Sequence, residues 1–143
     1  MARGKETELT SKLLGKIESS GVPAAWKIAD PKGDCKTVAR PYDCFGNWNG
    51  KFFAIEVKQF PRYAAFSVKE LSLGQRTNLD WVLKTNGIAL VVLFINSHGK
   101  WRLFPFDYKS LRDRGKCFTK EEMLVMPYYT DYSIEWLKEA CGG

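Results

Sequence analysis

The dipeptide Asn49-Gly50 most constrains the fold, because it lies between two apolar-rich runs of the chain. Asn-Gly is the preferred centre of a type I′ turn, which joins two antiparallel strands in a fixed register. The sequence therefore predicts a hairpin whose strands cover residues 41–47 and 51–59.

The register of this turn decides which side chains meet across the hairpin. With Trp48 paired to Lys51, Asp43 is predicted directly opposite Glu56, with Cβ atoms about 5 Å apart on one face. Because side chains alternate along a strand, Lys58 shares that face with Glu56. The core-facing side is predicted to carry Phe53, Ile55 and Val57.

Two opposed carboxylates repel each other, and a sheet ordinarily avoids this arrangement. A divalent cation between them removes the repulsion, since carboxylate oxygens are ligands that Mg²⁺ prefers. Such a pair with its metal can activate water against a phosphodiester, and a nearby lysine can orient that water or stabilise developing charge. The alternative is an exposed hairpin with scattered charges, in which Lys58 only offsets one acid.

Apolar periodicity predicts the other elements, and the length of the chain indicates a single domain over residues 1–143. An eight-residue apolar run over 88–95 is typical of a strand buried on both faces. The order of the elements favours an α/β sandwich around a mixed sheet. The predicted helices cover 5–20, 72–86 with Gly87 as C-terminal cap, 107–114, 119–125 and 133–140, and the other strands cover 24–29 and 100–106.

Composition narrows the functional classes. The formal net charge of +6 permits an anionic partner. The four cysteines are widely spaced and the chain has one histidine, His98, which disfavours a zinc site. The cysteines are predicted to be free thiols in a reducing cytoplasm. The charged N-terminus has no signal-peptide pattern, and the longest apolar run is too short to span a bilayer.

The segments Pro41-Tyr42-Asp43 and Glu56-Val57-Lys58 resemble the PD-(D/E)XK nuclease signature. Together with the hairpin, they look most like Holliday junction resolvases of the RecU-like and archaeal Hjc-like branches, which include small phage versions. The resemblance covers about residues 3–95. It implies a restriction-endonuclease-like three-layer sandwich, with a central mixed β-sheet flanked by helices.

The resemblance also implies a site. Asp43, Glu56 and the carbonyl of Val57 would bind Mg²⁺, or Mn²⁺ as a substitute, and Lys58 would serve the attacking water. Glu8 matches the family's helix-one glutamate and would complete the metal site, with Glu6 as the competing acid. Gln75 matches the family's glutamine on the following helix and would belong to the catalytic residues; the alternative is a solvated helix residue. Asp30 is another nearby acid that could instead cap a strand end.

The implied partner is branched DNA, in the cytoplasm of a bacterial, archaeal or phage-infected cell. Basic residues placed to neutralise phosphates without reading sequence are Lys32, Lys36, Arg40, Arg62, Lys69 and Arg76. Tyr63 and Phe66 are either base-packing residues or loop anchors. Paired cuts imply a homodimer, and the aromatic residues Trp48, Tyr128, Tyr129, Tyr132 and Trp136 belong either to its interface or to the core.

The sequence thus predicts a junction-resolving endonuclease, with three rivals left open. The first is a related nuclease acting on other branched, mismatched or single-stranded DNA. The second is a non-catalytic DNA-binding module with a vestigial site. The third is a basic protein whose partner is another protein, for which DNA binding would be weak and would lack strong salt dependence.

Overall fold

The structure is a computed structural model that describes residues 2–21, 24–27 and 42–142, with only the backbone described for 2–7 and 24–27. Its core is a five-stranded sheet in the order β1-β2-β3-β4-β5. β3 and β4 are parallel, and the other neighbouring pairs are antiparallel. The strands are β1 (Ala24–Lys27), β2 (Cys44–Trp48), β3 (Lys51–Phe60), β4 (Ile88–Ser97) and β5 (Lys100–Asp107).

Helices cover both faces of this mixed sheet, which confirms the predicted α/β sandwich. α1 and α5 pack on one side, here named the α1 face, and α2, α3 and α4 pack on the other, the α2 face. The helices are α1 (Ala2–Ser19), α2 (Leu73–Lys84), α3 (Tyr108–Arg114), α4 (Lys120–Val125) and α5 (Glu135–Ala140), and a 3₁₀ turn covers Val68–Glu70.

The apolar pattern of the sequence accounts for both layers. The stripe Leu9, Leu13 and Ile17 is fully buried on the α1 face. The β4 run alternates between the two clusters, with Leu90 on the α1 face and Val91 on the α2 face. A strand buried on both sides is what a continuous apolar run beside a parallel partner predicts.

A hydrogen-bonded network ties α2 to α3. The Tyr108 hydroxyl donates to Asp80 Oδ1 at 2.9 Å, and Arg112 donates to the same oxygen at 2.9 Å. Burial and the hydrogen bond to Asp80 raise the pKa of Tyr108 to about 12. The phenol therefore stays neutral at physiological pH and acts as a donor that holds α2 in place.

The aromatic residues that were candidates for a dimer interface mostly belong to the core. Trp136 is buried, and Trp48, Tyr129 and Tyr132 pack against the α1-face cluster. Tyr128 differs, since it is 42% exposed.

The predicted C-terminal cap of α2 is wrong in one detail. The left-handed residue is Asn86, with φ of 63°, whereas Gly87 follows it and donates its N–H to Val82 O at 2.8 Å. Gly87 is required for close approach instead, because a Cβ there would lie 2.7 Å from Val82 Cγ1 and 3.0 Å from Val82 O.

We expect Gly87→Ala to lower the free energy of unfolding by about 1–3 kcal/mol, because the new methyl overpacks this contact. Gly15→Ala is the matched control, since a Cβ added at this position inside α1 would have no neighbouring atom within 4 Å. It should raise stability by about 0.5–1 kcal/mol. Urea unfolding measures both, and shifts of the same sign would contradict the packing explanation.

Among the described residues, no helix is both long enough and apolar enough to cross a membrane.

Candidate active site

The hairpin forms in the predicted register. Asn49 and Gly50 both have positive φ, 54° and 75°, as a type I′ turn requires. Trp48 pairs with Lys51, and the ladder continues to Cys44 opposite Ile55. The predicted core face is confirmed as well, because Phe53, Ile55 and Val57 are all buried in the α1-face cluster.

Asp43 leaves this ladder, so the predicted direct pairing with Glu56 is wrong. Its amide donates to Ile55 O at 3.0 Å, and its carboxylate Oδ2 accepts the Val57 N–H at 2.7 Å. The side chain thereby takes the place of a backbone carbonyl next to β3. This arrangement satisfies a buried amide and avoids placing two carboxylates face to face in the ladder.

Both carboxylates are nevertheless buried in the same region. Asp43 is 6% exposed and Glu56 is 4% exposed. Both carboxylates affect the fully buried thiol of Cys44. Burial is the main cause that raises the pKa of this thiol, and the charges of Asp43 and Glu56 raise the pKa further. Two buried carboxylates beside one backbone segment form a pocket of negative charge, which is costly unless compensated.

Gln75 connects the N-terminus of α2 to Glu56. Its Nε2 donates to Glu56 Oε2 at 2.8 Å, while its Oε1 accepts the Ser72 N–H at 2.9 Å. Ser72 Oγ in turn accepts the Gln75 N–H at 3.1 Å, which completes a capping box. The box fixes the orientation of the Gln75 amide, so that its donor faces the carboxylate.

Sequence reasoning identified Gln75 but missed its partner Ser72. The signal was present, because Ser-x-x-Gln at the start of a helix is the capping-box pattern. The contact with Glu56 spans 19 positions of the chain and depends on how α2 packs on the sheet.

Lys58 lies on the α2 face, two residues beyond Glu56, and is half-buried. Across the sheet it pairs with Leu93 of β4, which pairs with Phe104 of β5. Glu56 belongs to the same regular stretch of β3, so its side chain is on the same face as that of Lys58, as predicted from the sequence.

Glu8 lies on the exposed surface of α1. Its side chain is 52% exposed, and its Oε1 lies 3.6 Å from Lys12 Nζ. Within the described part of the chain, no three His, Cys, Asp or Glu side chains form a group that could hold a metal ion. The role of Glu8 therefore stays a prediction, and the Glu6 side chain and Asp30 lie outside what the structure describes.

The predicted DNA-contacting residues are only partly described. Arg62 and Lys69 are exposed, and Arg76 is half-buried with an Nε that has no hydrogen-bond partner among the described residues. Phe66 is fully buried and acts as a loop anchor through its ring contact with Phe106, 5.0 Å between centroids. Lys32, Lys36 and Arg40 lie outside the described residues.

The donor set fits a divalent cation. Mg²⁺ in proteins is held by one or two carboxylates together with waters and substrate phosphates, rather than by a complete protein cage. Asp43 and Glu56 supply two carboxylates, and the backbone of Val57 lies beside them through its bond to Asp43. Both side chains are also held by hydrogen bonds, which a metal ligand needs for a fixed orientation.

The chain is similar to solved protein structures. No family model matches the chain, and no curated protein sequence matches it. Among solved structures, it is similar to Hjc of Archaeoglobus fulgidus, a Holliday junction resolvase from an archaeal hyperthermophile. The two are 24% identical over 68% of this chain and 73% of the other, with a TM-score of 0.47.

Proposed function

We propose that the chain is a metal-dependent, structure-selective DNA endonuclease of the PD-(D/E)XK kind. Its proposed reaction is the resolution of four-way junctions by paired symmetric cuts, carried out by a homodimer of single nuclease domains over residues 1–143. One observation carries the proposal: Asp43 and Glu56 are both buried and both hydrogen-bonded at one stretch of β3, with Lys58 next along the same face as Glu56.

The roles follow from this arrangement. Asp43 and Glu56, with the carbonyl of Val57, would hold Mg²⁺ or Mn²⁺. The chemistry that the bound cation supplies is polarisation of the phosphodiester and a more acidic water. Lys58, on the same face of β3 as Glu56, would orient the attacking water or stabilise charge that develops on the phosphate. Glu8 is retained as the predicted additional acid.

Gln75 acts as a positioning residue in this scheme. Its amide donates to Glu56 and is itself locked by the capping box of α2. A hydrogen bond from a rigid helix terminus fixes the carboxylate in one rotamer, and preorganisation of this kind is what metal and transition-state binding require.

The deciding experiment is cleavage of a labelled four-way junction beside its component linear duplex, with Mg²⁺ or Mn²⁺. We expect symmetric paired nicks in the junction alone. Cleavage of both substrates would support a nuclease activity but would contradict selectivity for the junction. Tight, salt-dependent binding without cutting would favour a non-catalytic DNA-binding module, and weak binding without salt dependence would favour a protein partner.

Metal binding should also be visible without any substrate. Because a cation offsets the repulsion of two buried carboxylates, Mn²⁺ at tenfold its dissociation constant should stabilise the fold by about 1.4 kcal/mol. The melting temperature would rise by roughly 3–6 °C. Asp43→Asn should reduce this rise strongly. An equal rise in wild type and Asp43→Asn would show that the metal binds elsewhere.

A further inference from the structure

Arg102 of β5 is clamped between two tyrosine rings. Its Nη1 donates to the Tyr63 hydroxyl at 2.8 Å. Its Cζ lies 4.3 Å from the ring centroid of Tyr128 and 5.8 Å from that of Tyr63. Contacts of this kind hold the planar guanidinium in one orientation, which a flexible surface arginine does not have.

The fold fixes both tyrosines independently of Arg102. Leu103 and Tyr129 exchange two backbone hydrogen bonds of 2.9 Å, so the chain beside β5 holds Tyr128 in place. Tyr63 packs edge-on against Phe104 at 6.1 Å between ring centroids, and Tyr128 contacts the same ring at 6.0 Å. The clamp is therefore part of the packed structure.

Arg102 differs electrostatically from the arginines of α3. Arg112 is paired with Asp80 and Asp113, and Arg114 is paired with Glu122. Among the described residues no carboxylate pairs with Arg102; its partners are the Tyr63 hydroxyl and the rings of Tyr63 and Tyr128. An oriented guanidinium without an acidic counterion is suited to bind an external anion.

The position of Arg102 relates it to the candidate active site. Across the sheet, Lys58 of β3 pairs with Leu93 of β4, which in turn pairs with Phe104 of β5. Arg102 lies two residues before Phe104 in β5, so the two side chains are on the same face. Neighbouring strands are about 4.8 Å apart and a strand rises about 3.4 Å per residue, so Arg102 lies about 12 Å from Lys58, two strands across and two residues along.

Resting on the nuclease function proposed above, we propose that Arg102, oriented by Tyr63 and Tyr128, is a phosphate-binding subsite for the DNA backbone on the α2 face. The guanidinium fork binds two phosphate oxygens, and its fixed orientation lowers the entropy lost on binding. A contact of this kind positions the substrate without reading sequence, so it contributes to affinity and not to the chemical step.

The test uses Arg102→Met, which keeps the packing stem and removes the charge. Binding of the labelled junction and of the linear duplex is measured in EDTA from 50 to 200 mM NaCl. We expect affinity to fall about fivefold to tenfold at 0.1 M salt, and the salt slope to decrease by about one. The rate of cleavage at saturating DNA should stay unchanged. Lys16→Met removes one exposed charge from α1 on the opposite face and should match wild type.

Affinity within twofold of wild type and an unchanged salt slope in Arg102→Met would overturn the subsite. If that variant does not fold, Arg102→Lys and Tyr63→Phe decide, each with an expected twofold to threefold loss of affinity. Wild-type affinity in both of these variants would also overturn the proposed subsite. If wild type itself neither binds nor cuts branched DNA, the proposed nuclease function is wrong. If wild type is active and Arg102→Met binds DNA as tightly as wild type, only the proposed subsite is wrong.

Discussion

Asp43→Asn should abolish cleavage while leaving the fold intact, whereas Asp43→Ala should damage both. Asparagine keeps a carbonyl oxygen that can accept the Val57 N–H, now accepted by Asp43 Oδ2 at 2.7 Å. It also removes one of two buried negative charges. We expect a loss of cleavage of roughly 10³-fold or more, with the free energy of unfolding within about 0.5 kcal/mol of wild type.

Alanine leaves the buried Val57 amide without this acceptor and should cost about 1–3 kcal/mol. Single-turnover cleavage of the labelled junction and urea unfolding measure the two effects separately. Asp113→Asn serves as the control, because it removes an exposed carboxylate from α3. Equal destabilisation by Asn and Ala would contradict the structural role assigned to the carboxylate, and full cleavage by Asp43→Asn would remove Asp43 from the active site.

Gln75→Glu should be the most informative change at the second carboxylate. Glutamate is equally able to complete a capping box with Ser72, so the N-terminus of α2 is preserved. The donor that faces Glu56 is replaced by a carboxylate, at a position where the present N–O distance is 2.8 Å. We expect a loss of about 3 kcal/mol at pH 8, from the missing hydrogen bond and the added repulsion.

The pH dependence of this variant has a definite sign. Two carboxylates in contact favour binding of one proton in the folded state, while the unfolded state separates them. The folded variant therefore binds more protons than the unfolded variant, and its stability rises as the pH falls from 8 to 5. Unfolding of wild type, Gln75→Glu and Gln75→Ala at both pH values tests this. A loss in Gln75→Glu that is independent of pH would exclude a direct contact with Glu56.

Short-range features could be predicted from the sequence because they depend on local pairing. The Asn49-Gly50 turn set the register of β2 and β3, and the alternation of side chains along β3 put Glu56 and Lys58 on one face. The β4 run predicted a strand buried on both faces, and the three C-terminal helices begin and end close to their predicted bounds. In these cases the periodicity of one segment already contains the required information.

The limits of prediction appear where a segment meets a distant one. The register placed Asp43 opposite Glu56, but the buried Val57 amide needed an acceptor and drew Asp43 out of the ladder. The family resemblance predicts Glu8 as an additional acid of the site, and this stays a prediction: α1 packs on the α1 face, and Glu8 Oε1 lies 3.6 Å from Lys12 Nζ.

The hairpin register, the core faces of the strands and the candidate residues Asp43, Glu56, Lys58 and Gln75 could all be identified from the order of amino acids. How those residues are held depends on tertiary packing, through the Gln75 contact with Glu56 and the Asp43 contact with Val57. The same packing creates the clamp around Arg102, whose hydrogen bond to Tyr63 joins positions 39 residues apart. Such contacts arise when whole elements come together, and no local periodicity encodes them.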